Sequence, residues 1–131
     1  AHPLSIIASD GAGYDIAHKD TGEIVHPRCF GTFPRVLGKY VRVEKLLTLE
    51  KAVEKMTSMP AKKLGLAERG VLQKDFKADI VVFDPETIID KSTVEDPYQY
   101  AEGVSEVIVN GKMVLDKDCL TGEMAGEFIA A

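Results

Sequence analysis

At 131 residues the chain has the length of about one domain, and with 45% hydrophobic and 28% charged residues it falls among globular proteins and outside the disordered class. A formal net charge of −5, from 21 acidic against 16 basic residues, opposes the positive surface needed to neutralise phosphates, so nucleic acid is excluded as a partner. The longest run of strong hydrophobes, Ile80-Val81-Val82-Phe83, is too short for a membrane span or a signal-peptide core, so no membrane partner is expected.

The chain opens on an apolar run of strand length, Leu4-Ser5-Ile6-Ile7-Ala8-Ser9, which delivers Asp10 into the turn Ser9-Asp10-Gly11. A parallel α/β barrel presents a catalytic carboxylate in this way, at the carboxyl-terminal mouth of a strand. Asp before Gly is also common in ordinary turns, so a capping role stands beside the catalytic one. Such a site so early in the sequence predicts that the chain is the end of a larger enzyme. Residues 11–28 contain His18, Asp20, Gly22, His26 and Pro27, which break every period, and a long functional loop is expected there.

Helical spacing begins with Phe33, Val36, Leu37, Tyr40 and Val41, with Pro34 and Arg35 in the expected first turn. A second helix over 49–56 is signalled by Thr48 as N-cap, Glu50 in the first turn, and Leu49, Ala52, Val53 and Met56 on one face. Pro60 and Gly65 bracket a third, short helix. The lysines between 62 and 77 alternate with Glu68 and Asp75 and read as a solvated face.

From about Val71 the period turns strand-like. Ile80-Val81-Val82-Phe83 ends at the Asp84-Pro85 turn signal, and Val107-Ile108-Val109 and Lys112-Met113-Val114-Leu115 flank Asn110-Gly111, a type I′ hairpin turn. Residues 85–103 read as an irregular loop, in which Tyr98 and Tyr100 are weak candidates for an interface. Thr121-Gly122 and Ala125-Gly126 read as turns. Cys29 and Cys119 stand far apart, without Cys or His at zinc-finger spacing; free thiols in a reduced, cytoplasmic compartment are expected and a structural zinc site is not.

In this order the pieces resemble a known family. Ser9-Asp10-Gly11, His26-Pro27-Arg28 and Phe30-Gly31-Thr32-Phe33-Pro34-Arg35-Val36-Leu37-Gly38 are similar to the carboxyl-terminal part of the N-acyl-D-amino-acid deacylases, or D-aminoacylases, of the amidohydrolase superfamily. Lys77-Ala78-Asp79-Ile80-Val81-Val82-Phe83-Asp84-Pro85 and Val109-Asn110-Gly111-Lys112 resemble segments shared more widely by amidohydrolases. The resemblance covers nearly the whole chain.

The resemblance implies an α/β fragment. Residues 1–66 would be the end of a (β/α)8 metal-dependent hydrolase barrel, with its last strand, a loop and helices, and 67–131 the carboxyl-terminal part of a small β-sandwich. It implies amide hydrolysis assisted by zinc, with Asp10 matching the catalytic aspartate that takes a proton from water and passes it to the departing amine. His26 and Arg28 fall in the loop over the active-site mouth, where an arginine can pair bidentately with the free carboxylate of an N-acyl amino acid. A solvated arginine and a loop histidine remain the plain alternative for these two. The family's His-x-His and further ligands are not in this sequence, and His2, His18 and His26 do not reproduce their spacing. Zinc is thus expected in the parent enzyme and not on this polypeptide, which is expected to be inactive in isolation. The amino-terminal part of the same enzyme is the expected partner. A stand-alone, non-catalytic binding or assembly module is the alternative function.

Overall fold

The computed structural model describes residues 2–129, which group into two units, each assembled from separated stretches of chain. One unit comprises residues 8–52 and 85–103; the other comprises 2–7, 53–84 and 104–129. Helices and a small antiparallel sheet make the chain α/β.

In the first unit, the segment expected as loop contains a 3₁₀ turn, Ile16–Thr21. Asp15 Oδ1 accepts the Ala17 N–H at 2.8 Å, and Gly22 ends the turn at φ +74°. The helix expected to begin near Phe33 begins instead at Arg28, as α1 (Arg28–Arg35), so Pro34 and Arg35 occupy its last turn and not its first. The reason lies in the preceding residues: His26 Nδ1 accepts the Arg28 N–H at 3.0 Å and Pro27 O accepts the Gly31 N–H at 2.9 Å, satisfying donors at the helix start. Pro34 has no N–H to return to Phe30, and the following turns widen into a π-helical segment, Val36–Val43. The Glu44 N–H reaches Lys39 O at 2.8 Å, the five-residue spacing of that geometry.

Val25, Val36, Leu37, Ala52, Ile88 and Tyr98 form the buried apolar set of this unit. Residues 85–103 are irregular, as expected, and close on Gly38, where a Cβ would stand 2.5 Å from Ile88 O. Arg42 Nη1 donates to Pro85 O at 2.9 Å and to Ile88 O at 2.8 Å. Arg35 pairs with the nearly buried Asp90 at 2.8 Å.

Helix α2 (Leu49–Met56) has the expected bounds, and Thr48 Oγ1 accepts the Lys51 N–H at 3.2 Å as an N-cap does. Helix α3 (Ser58–Lys63) starts two residues ahead of Pro60, and Gly65 follows at φ +73°. In the second unit, strands β1 (Ile80–Phe83), β2 (Val104–Val109), β3 (Lys112–Asp116) and β4 (Cys119–Leu120) form an antiparallel sheet in that order. Strand β1 and the hairpin follow the sequence expectation, with Asn110 at φ +48° and Gly111 at +79°. Strand β4 was not foreseen; it is two residues long, too short to leave a period.

Two expectations are corrected. Residues 4–9 carry no strand ladder, because no strand among the described residues lies beside them. Instead the Ile7 N–H donates to Lys55 O at 3.1 Å. Near the carboxyl end Gly122 takes a turn conformation at φ +80°, but Ala125-Gly126 makes no turn. There the Ala125 carbonyl accepts from Asn110 Nδ2 at 2.7 Å.

Candidate active site

Asp10 stands on left-handed backbone, φ +49°, a conformation that aspartate tolerates better than most residues. The Gly11 N–H donates to Ser9 Oγ at 3.3 Å. A Cβ on Gly11 would lie 3.0 Å from Cys29 Cα, tighter than ordinary contact, so glycine eases the close approach of this turn to the start of α1. That approach brings Arg28 Nη1 to 3.2 Å from Asp10 Oδ2. His26 sits one step behind, its Nδ1 occupied by the Arg28 backbone N–H. All three residues singled out from the sequence thus gather at one helix start, Asp10 and Arg28 through their side chains and His26 through the backbone of Arg28.

Around the same helix lies an aromatic group that the sequence did not point to. Tyr98, noted only as a weak interface candidate, is buried, and its hydroxyl donates to Glu23 O at 3.0 Å. Its ring meets Phe30 edge-on at 5.6 Å and Tyr14 at 6.4 Å between centroids. His18 Nε2 lies 2.7 Å from Glu23 Oε2. This hydrogen bond from His18 holds the Glu23 carboxyl below the usual carboxylate range, with the charge of His18 and the Tyr14 hydroxyl adding to the effect and desolvation opposing it. The charge on Glu23 pushes Tyr14 up, and burial pushes Tyr98 up. The paired tyrosines Tyr98 and Tyr100, close after Pro97, were the one available signal.

Asp10 offers a carboxylate for proton transfer, and Arg28, with five N–H donors, keeps capacity for a second anion beyond Asp10. The same residues do not make a zinc site. No group of three His, Cys, Asp or Glu side chains able to hold a metal exists among the described residues, and tetrahedral zinc needs about four donors. Asp10 is one such donor at most, and His26 Nδ1 is already engaged. Among the described residues no helix is long and apolar enough to cross a membrane. Cys29 and Cys119 are free thiols.

A model of the amidohydrolase family matches residues 15–115, which include His26 and Arg28 and begin just after Asp10. The chain belongs to this family. Its similarity runs to the D-aminoacylases within it, as the motifs implied. D-aminoacylase of Alcaligenes xylosoxydans xylosoxydans is 47% identical over 126 residues, 96% of this chain and 25% of that protein. A crystal structure of D-aminoacylase matches with a TM-score of 0.82 at 49% identity, over 92% of this chain and 24% of that one. N-acyl-D-glutamate deacylase of Bordetella bronchiseptica, solved with zinc and a phosphonate mimic of the tetrahedral intermediate, matches with a TM-score of 0.76 at 46% identity, over 86% of this chain and 22% of that one. The chain therefore spans about a quarter of the length of these relatives.

Proposed function

We propose that this chain is the carboxyl-terminal part of a cytoplasmic, zinc-dependent deacylase that hydrolyses the amide bond of N-acyl-D-amino acids. Residues 1–66 would complete a (β/α)8 barrel and 67–131 a small β-sandwich, a division supported by strands β1 to β4, the strands among the described residues, all falling in the second part. The remaining three quarters of the enzyme would be the chain's partner and the source of the zinc ligands. The observation that carries the proposal is the Asp10–Arg28 pair at 3.2 Å in a chain 47% identical to a D-aminoacylase.

Zinc, when bound by the whole enzyme, supplies polarisation of the scissile carbonyl and a lowered pKa for the attacking water. The chain's own residues do the rest. Asp10 takes a proton from the water as its oxygen adds to the carbonyl carbon, then gives that proton to the amine nitrogen as the C–N bond breaks. The products are a carboxylate and the free D-amino acid. Arg28 holds the substrate's α-carboxylate, and His26 fixes the helix start from which Arg28 projects. Bidentate pairing suits this task because a guanidinium matches both carboxylate oxygens.

The test is to express the full-length coding sequence, measure its zinc content, and compare turnover of N-acetyl-D- and N-acetyl-L-amino acids. D-selective release of amino acid that is lost on chelation and restored by zinc is the expected result. A zinc-loaded, folded protein that releases amino acid from neither series would overturn the proposal.

A further inference from the structure

Tyr98 is 5% exposed, in the irregular stretch 85–103, and the proposed chemistry makes no use of it. Its hydroxyl donates to Glu23 O at 3.0 Å, and its ring meets Phe30 edge-on at 5.6 Å between centroids. Arg28 lies between these two contacts, five residues after Glu23 and two before Phe30. One side chain thus holds both the chain that leads into α1 and the first turn of the helix itself.

Tyr98 is itself held. Ser92, 2% exposed, donates from Oγ to Pro97 O at 2.6 Å, which fixes the carbonyl just before Tyr98. At the other end of α1, Arg35 pairs with Asp90 of the same stretch at 2.8 Å. Phenylalanine would fill the space of the Tyr98 ring; the hydroxyl adds a direction, because a buried O–H that loses its acceptor is costly. The Glu23 carbonyl is therefore held to one place. Bidentate capture of a carboxylate depends in turn on where the guanidinium stands, and misplacement of about 1 Å already weakens such geometry.

From these contacts we infer that Tyr98 is a positioning residue, whose hydroxyl and ring set where Arg28 meets the α-carboxylate of the substrate. The inference rests on the proposed role of Arg28 in holding that carboxylate. Its test uses the full-length, zinc-loaded enzyme carrying Tyr98→Phe, Arg28→Gln and the two combined. In Tyr98→Phe, which keeps the ring, KM for N-acyl-D-amino acids should rise by about threefold to tenfold, the size of one lost hydrogen bond, with kcat and zinc content within about twofold of the parent. KM for N-acyl amines that lack the carboxylate should not change. In the combined variant, Tyr98→Phe should add nothing to the KM of Arg28→Gln, because a residue that acts through Arg28 has no effect once Arg28 is gone.

Unchanged KM in folded, zinc-loaded Tyr98→Phe, or an equal rise for substrates without the carboxylate, would overturn the inference. So would a further rise of the same size in the Arg28→Gln background. If Tyr98→Phe does not fold, Phe30→Leu carries the same test from the helix side, because it removes the ring that Tyr98 meets. A KM rise confined to substrates with the carboxylate is then expected, and unchanged KM overturns the inference. Near-normal KM in Arg28→Gln would sink the role of Arg28 and this inference with it, whereas a raised KM there beside an unchanged one in Tyr98→Phe leaves Arg28 in its role and removes Tyr98 alone.

Discussion

Arg28 Nη1 stands 3.2 Å from Asp10 Oδ2, and both side chains are open to solvent, 45% and 88% exposed. An ion pair so exposed contributes about 0–1 kcal/mol to stability, so its interest lies in what it aligns and not in what it holds together. It places a carboxylate and a guanidinium side by side at the start of α1, with the Gly11 turn close enough to Cys29 to keep them there.

Asp10→Asn in the full-length enzyme keeps the size of the side chain and removes the proton acceptor. We expect kcat to fall by about 10²-fold to 10⁴-fold with folding retained. Zinc analysis of the purified variant assigns the role: content near the parent's marks proton transfer, and loss of metal marks a ligand.

Arg28→Gln should raise KM for N-acyl-D-amino acids by about 10-fold to 100-fold, as expected for losing a charged hydrogen bond worth about 1.5–3 kcal/mol. Arg28→Lys should recover little, because a point charge does not reproduce the fork. For N-acyl amines that lack the carboxylate, both variants should match the parent; a KM change there would mean that Arg28 does not read that group.

Glu23 makes the segment 14–23 sensitive to acid. Its folded-state pKa is depressed, chiefly by the hydrogen bond from His18, so its contribution is present above the ordinary carboxylate pKa and lost as pH falls through the lowered value. NMR signals of Tyr14 and His18 should therefore shift with acid below the ordinary carboxylate range. Glu23→Gln should abolish that shift.

Asn110 holds the hairpin turn at φ +48° while its side chain accepts from Arg69 Nη2 at 2.9 Å and donates to Ala125 O. Its backbone N–H donates to Asp79 Oδ1 at 2.8 Å, and Asp79 also pairs with Arg69. Asn110→Ala meets both the conformational penalty and the lost bonds, and should destabilise by about 1–3 kcal/mol in urea unfolding. Asn110→Gly relieves the first and keeps the second, so it should fall between.

The 131-residue polypeptide by itself should lose zinc on dialysis and show no turnover, since one carboxylate does not supply three or four converging ligands. Stoichiometric metal retained together with deacylase activity would contradict this.

Local rules made part of this structure readable in the sequence. Thr48 and the 3.6 period placed α2, the β-branched run and its Asp84-Pro85 stop placed β1, and Asn110-Gly111 placed the hairpin, because caps, periods and turn conformations depend on neighbours a few residues apart. Asp10, His26 and Arg28 were recognisable through motifs, but that they meet at the start of α1 was not. The early start of α1 turned on the His26 ring, and the fate of Pro34 on the π-helical turns after it. Residues 4–9 read as a strand by composition, yet a strand exists only with a partner, and none lies beside them among the described residues. The burial of Lys55 and Tyr98 was decided by tertiary packing alone, since a lysine on a helix and a tyrosine in a loop look the same in sequence whether they face water or a set of waiting oxygens and rings.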